Sequence, residues 1–245
     1  MKISIGISFI LLILFGNGLL FPIIPEQLIF NIRDPKTNAK DFRDSLQSIG
    51  EYLALDVVTK LPKEQISIQT ITGASAYHFL SNEIPVLITI LRAGLPLHMG
   101  VQKIFPNSEV GFFAMARNEE TLESKIEYVS LPDIRNRYII VSDTMLATGG
   151  SILNAIRVIQ AYAPKKIFII TALASQYGID QVLQEYPNVI IFTAALDPYI
   201  NDRGYIIPGL GDAGDRSYGE KYVDRIMLER LYSQNKTSVY GNGLS

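Results

Sequence analysis

The chain has 245 residues, enough for one sizeable α/β domain with its own core, and no linker divides it into two smaller ones. At 48% hydrophobic and 19% charged residues it belongs with packed proteins, and 22 basic against 24 acidic residues leave a net charge of −2, so no global field recruits nucleic acid. The absence of cysteine excludes disulfides, thiolate nucleophiles and Cys-built zinc sites, while two histidines, His78 and His98, leave little for a histidine triad or metal centre.

From Ile3 to Ile24 the chain is apolar except for Ser4, Ser8 and Asn17, with Lys2 ahead of it, which reads as a signal peptide or a short membrane span. Gly16, Asn17, Gly18 and Pro22 interrupt its second half, and no A-x-A-like cleavage site follows. A buried or interface arm, or an upstream start codon, are the other readings. Residues 1–24 are therefore set apart as a leader, and 25–245 are expected to form one domain.

The next stretch, from Asn31 to Leu61, carries apolar residues at Phe42, Leu46, Ile49, Leu53 and Val57, a spacing that predicts one long helix. Gln65 to Ile71 alternates like a short strand, and Pro85 to Leu91 reads as a buried one. Val110 to Ala114 and Arg137 to Ser142 read as strands, and Ser151 to Tyr162 as a helix ended near Pro164. Lys166 to Leu173 and Asn188 to Ala194 give two more strands, with a helix over Gly178 to Glu185 between them. Strands and helices alternating at this spacing imply crossovers and a mostly parallel sheet.

Three segments carry chemistry. In YIIVSDTMLATGGSILNAI, Tyr138 to Ile156, a strand runs into Asp143, then into the turn Thr148-Gly149-Gly150-Ser151, then into a helix. Glycines let successive N–H groups point inward and the helix N-terminus adds its positive dipole end, which suits a phosphate monoester. Asp143, at the carboxyl end of its strand, can accept hydrogen bonds from vicinal ribose hydroxyls. Alone, the turn also reads as a tight strand-to-helix connection with Asp143 as a cap. Neither a G-x-G-x-x-G nor a G-K-[ST] is present, which removes the dinucleotide and Walker readings. The second segment, GYIIPGLGDAGDRSYG from Gly204 to Gly219, is too rich in glycine for a regular element and reads as a loop shaped to offer main-chain groups to a planar base. The third set is a pair of arginines at strand ends, Arg92 in ILRAGLP and Arg117 in MARNEETLE, placed to fork onto diphosphate or, singly, to make surface ion pairs.

The stretch from Asp143 resembles the motif of phosphoribosyltransferases that binds phosphoribosyl pyrophosphate (PRPP), and its version D-x-M-L-A-T-G-G-S is that of uracil phosphoribosyltransferases. Gly204 to Gly219 resembles the uracil-binding loop of the same family almost letter for letter. The arginine segments resemble its L-R-A-G and R-N-E-E-T-L-E motifs. The likeness runs from about Ile32 to Gly219 and is weaker before Leu87. Two departures stand out: Thr144 replaces the usual proline, and Ala116 the usual tyrosine.

The resemblance implies a type I phosphoribosyltransferase fold, an α/β domain with a mostly parallel twisted sheet flanked by helices and a glycine-rich base loop near the C-terminus. It implies transfer of the phosphoribosyl group of PRPP to uracil, giving UMP and diphosphate, with Asp143, Arg117 and Arg92 as catalytic residues. PRPP would be held by Arg92, Arg117, Asp143, Thr144, Met145, Leu146, Ala147, Thr148, Gly149, Gly150, Ser151 and Asp212, and uracil by Ile206, Gly211, Asp212 and Ala213. It also implies Mg2+ carried by PRPP rather than by a protein metal site, a homodimer or homotetramer, GTP as a candidate effector, no nucleic-acid partner, and a cytoplasmic location unless residues 1–24 hold the chain to a membrane. The alternative is a PRPP-sensing regulatory or non-catalytic paralogue of the same fold. The lack of a Lys/Arg run argues against a nucleic-acid regulator, whereas the leader, Thr144 and Ala116 leave the non-catalytic paralogue open.

Overall fold

The computed structural model of the chain describes residues 19–20, 24–117 and 124–221, with the backbone alone at 19, 20 and 117. Strand β1 (Leu19–Leu20) precedes helices α1 (Glu26–Arg33) and α2 (Ala39–Lys60). A hairpin of β2 (Glu64–Gln69) and β3 (Ser75–Leu80) follows, then β4 (Val86–Leu91) and α3 (Leu95–Ile104). Next come β5 (Val110–Arg117), β6 (Ser124–Ser130), β7 (Tyr138–Ser142), β8 (Met145–Leu146) and α4 (Gly150–Gln160). The order closes with β9 (Lys166–Ser175), α5 (Gln176–Glu185), β10 (Ile190–Asp197), β11 (Tyr199–Ile200), β12 (Ile206–Ile207) and α6 (Ala213–Tyr218).

The main sheet runs β1-β10-β9-β7-β4-β5-β6, with β8 also on β9, and every pairing is parallel except β5 with β6. Its central strands are buried on both faces, so they read as continuous β-branched runs rather than alternating ones. Leu87, Ile140, Phe168 and Ile170 pack toward α2 and α3 with Phe42, Leu46, Ile49 and Leu53. Their neighbours Val86, Ile88, Ile139, Ile167 and Ile169 pack on the opposite face with Ile152, Ile156 and Ile179 of α4 and α5. Crossover helices thus cover both faces, and the carboxyl ends of β4, β7 and β9 share one rim.

The expected single helix over Asn31 to Leu61 is two. Pro35 has no N–H and disfavours helix in the residue before it, and the Asn38 side chain accepts from the Asp41 N–H at 3.0 Å to start α2 afresh. The segment 204–219 is also more regular than expected, since it contains β12 and the short helix α6. Among the described residues His98 is buried in α3, its ring 6.3 Å from that of Phe112, and burial presses its pKa down to about 4, so it packs rather than titrates. The leader contributes β1, which extends the sheet beside β10 in register Leu19 to Ile191; residues 1–18 lie outside the described residues, as does the tail after Lys221.

Candidate active site

Strand β7 delivers Asp143 to the rim. The residue is 7% exposed, and burial pushes its carboxyl up from 3.8 to about 7 against the pull of hydrogen bonds from the Thr144 and Met145 N–H groups. Asp143 does not cap α4. That place is taken by Gly149 at φ +88°, a left-handed conformation that glycine adopts without a Cβ penalty, and it turns the chain so that Gly150 and Ser151 open the helix.

Two residues from β9 and α5 back the turn. Ser175 donates its hydroxyl to the Ala147 carbonyl at 2.6 Å and accepts the Gly178 N–H at 2.9 Å. A Cβ on Gly178 would collide with that same carbonyl oxygen, so only glycine lets α5 approach so closely. From the other side, β6 contributes Ser124, whose hydroxyl lies 2.8 Å from that of Ser151 and whose carbonyl accepts from Asn154 at 2.6 Å.

Arg92 directly follows β4. Its guanidinium donates to Asp215 of α6 at 2.8 Å and to the Gly219 carbonyl at 3.1 Å, so it spans from the rim to the glycine-rich segment. Thr144 is fully buried, and its hydroxyl donates to the Ala93 carbonyl at 2.6 Å. The peptides Leu91–Arg92 and Ile207–Pro208 are cis. Arg117 is the last residue of β5; its side chain and the rest of the R-N-E-E-T-L-E segment, 118–123, lie outside the described residues.

The glycine-rich segment 204–219 is anchored by arginines from far away in the chain. Arg33 forks onto Asp197 at 2.6 and 2.8 Å and donates to the Gly209 carbonyl at 2.9 Å, while Asp197 accepts the Gly209 N–H at 2.9 Å. Arg216 donates to the carbonyls of Leu210, Asp34 and Ile32 and stacks 4.2 Å from the Phe42 ring. Arg43 reaches the Ser217 carbonyl at 2.6 Å. Asp212 accepts the Asp215 N–H at 2.9 Å as the cap of α6 and pairs with Lys221 at 3.2 Å.

These pieces enclose one cavity of about 180 Å3. Its wall includes Asp143, Met145 to Ser151, Gly211, Asp212 and Ala213, which brings the glycine turn before α4 and the glycine-rich segment 204–219 into a single chamber. Arg92, Thr144 and Ile206 are not among its lining residues. Ala93, Ser124, Ile152, Gly204 and Tyr205 line it without having been singled out; Gly204 and Tyr205 at least sit in the glycine-rich segment, whereas Ser124 has no local signature. Among the described residues no three His, Cys, Asp or Glu side chains converge as metal ligands, and no helix is long and apolar enough to cross a membrane.

The profile of the family described as uracil phosphoribosyltransferase matches residues 25–220. Relatives with that name from Clostridium kluyveri and Bacillus licheniformis are 40% and 38% identical over 201 residues, which is 82% of this chain and 96% of theirs. A solved protein structure from Aquifex aeolicus superposes with a TM-score of 0.76 at 34% identity, covering 84% of this chain and all of that one. The parallel sheet with its buried aspartate, glycine turn and anchored glycine-rich segment therefore agrees with the profile in placing this chain in the uracil phosphoribosyltransferase family.

Proposed function

We propose that the chain transfers the 5-phosphoribosyl group of PRPP to uracil, giving UMP and diphosphate. The observation that carries this reading is the shared cavity, in which the phosphate turn and the Gly211–Ala213 segment face one another across Asp143. The bond from the anomeric carbon to the diphosphate oxygen breaks, a bond from that carbon to uracil N1 forms, and the N1 proton passes to diphosphate or water. The N–H groups of Thr148 to Ser151 hold the 5'-phosphate, and the Asp143 carboxylate accepts from the ribose hydroxyls, so the carbon is fixed before the base arrives. Arg92 and Arg117 offset the charge of the departing diphosphate, and main-chain groups of Ile206 and Gly211 to Ala213 read the edge of uracil.

Among the described residues the cavity offers the carboxyls of Asp143 and Asp212, which fit a magnesium ion that would arrive with PRPP and need few protein ligands. When bound on diphosphate oxygens such an ion neutralises negative charge. GTP is the candidate effector, and the cytosol, where PRPP and UMP reside, the expected location.

A second copy of the chain suits the β2–β3 hairpin. This two-stranded sheet pairs with no other strand among the described residues and exposes Ile68, Ile71, Tyr77 and Phe79, more apolar surface than an isolated hairpin sustains in water.

The decisive assay is UMP formation from uracil and PRPP with Mg2+, with and without GTP, alongside the mass of the particle in solution. PRPP binding without UMP would favour the non-catalytic paralogue, and a monomer at micromolar concentration would remove the assigned hairpin contact.

A further inference from the structure

Thr144 ties neighbouring elements together through five hydrogen bonds. Its N–H donates to the Asp143 carboxylate and its hydroxyl to the Ala93 carbonyl at 2.6 Å. Its carbonyl accepts the Ala172 and Leu173 N–H groups at 3.1 Å each and the Thr171 hydroxyl at 3.1 Å. Proline could make only the last set, having neither the N–H nor the hydroxyl. The side chain is fully buried and does not reach the cavity, so its effect on a ligand must pass through what it holds.

What it holds is the junction of two ligand-facing segments. Ala93 lies on the cavity wall directly after Arg92, and Asp143 directly before Thr144. The two segments are already tight: a Cβ on Gly94 would sit 2.6 Å from the Ser142 carbonyl oxygen. Resting on the reading that Arg92 and Asp143 both serve PRPP, we propose that Thr144 is a positioning residue for that substrate. Its hydroxyl locks the turn bearing Arg92 onto the strand end bearing Asp143. Without it, the Ala93 carbonyl loses a partner and the spacing between the diphosphate and ribose ends of the site loosens.

The test uses the full chain with Thr144→Val, which keeps the shape, Thr144→Ser, which keeps the hydroxyl, and Thr144→Pro. One buried hydrogen bond corresponds to about a five- to tenfold change. Thr144→Val should raise KM for PRPP by that factor while KM for uracil stays within about twofold, and Thr144→Ser should restore it. In the ligand-free protein the amides of Gly94 and Leu95 should exchange faster in Thr144→Val, with those of α2 unchanged. Thr144→Pro also removes the N–H from Asp143, so its pH dependence should move to higher pH than that of Thr144→Val. An active wild type whose Thr144→Val variant keeps the PRPP KM and the exchange at 94–95 overturns the proposal. So does an equal loss for both substrates in step with a lower melting temperature. If the wild type binds PRPP but makes no UMP, the transferase reading fails on its own, and PRPP affinity measured by calorimetry takes the place of KM in judging Thr144.

Discussion

Replacing Asp143 by asparagine separates chemistry from stability. The folded carboxyl holds its proton up to about pH 7, whereas an unfolded aspartate releases it near 3.8. Between those values the folded state binds more protons, so stability falls as pH rises from about 4 through 7. A difference of about three units corresponds to on the order of 4 kcal/mol lost by pH 8, where a buried anion remains. Asparagine keeps one acceptor for the Thr144 and Met145 N–H groups and carries no charge, so it gives up about 1 kcal/mol of that difference. Scanning calorimetry of the ligand-free proteins should find the variant melting roughly 5–10 °C above wild type at pH 8 and close to it at pH 5. At pH 8, where the carboxyl is ionised, UMP formation should nonetheless fall at least about 100-fold, because two charge-assisted hydrogen bonds to the ribose diol become weak neutral ones. A melting difference between the two proteins that stays constant from pH 5 to 8.5 would refute the buried, proton-holding carboxyl. An unchanged kcat/KM for PRPP would remove Asp143 from the ribose site.

Three further outcomes are expected. Cytosine should be used at least about 100-fold less well than uracil, because its amino group leaves polar groups of the Gly211–Ala213 segment unmatched; comparable kcat/KM for the two bases contradicts the base assignment. Arg33→Ala strands Asp197 as a buried unpaired anion, so thermal unfolding should report a loss of about 2–3 kcal/mol and KM for uracil should rise more than KM for PRPP. A chain starting at Pro25 should remain soluble and fully active, since every residue assigned to chemistry lies between Arg92 and Ala213; aggregation or inactivity beside the full chain in the same buffer would show the leader, with its β1 pairing, to be required.

Strands β4, β7, β9 and β10 were legible because burial on both faces writes them as unbroken apolar runs, and the phosphate turn because its glycines have a local purpose. Strand β3 was not, since Ser75 to Leu80 lies largely exposed and shows no alternation to read. Strand β6 is an edge strand with the same difficulty, and so Ser124 went unnoticed on the cavity wall. The break at Pro35 was visible as a residue, but the apolar spacing of α2 was extended across it. Arg33, Arg43 and Arg216 form contacts 164 to 184 residues apart in the chain, and nothing in their neighbours announces such partners. Thr144 was noted as a departure from the family, whereas its bond to Ala93 depends on a turn brought in from another strand.

The arginine clamp joins the beginning of the described chain to its end: Arg216 reaches back to the carbonyls at 32 and 34, and Arg33 forward to Asp197 and Gly209. During synthesis the sheet and the glycine turn emerge first, while the half of the cavity assigned to the base cannot close until α6 has left the ribosome and met α1 and α2. On the proposed assignment, a chain interrupted before Leu210 would keep the glycine turn for phosphate and lack the segment for uracil. A single proteolytic cut between Leu210 and α6 would, by contrast, leave both flanks in place, because the remote anchors, Arg33 on Gly209 and Arg216 on the carbonyls at 32 and 34, hold them more than the local chain does.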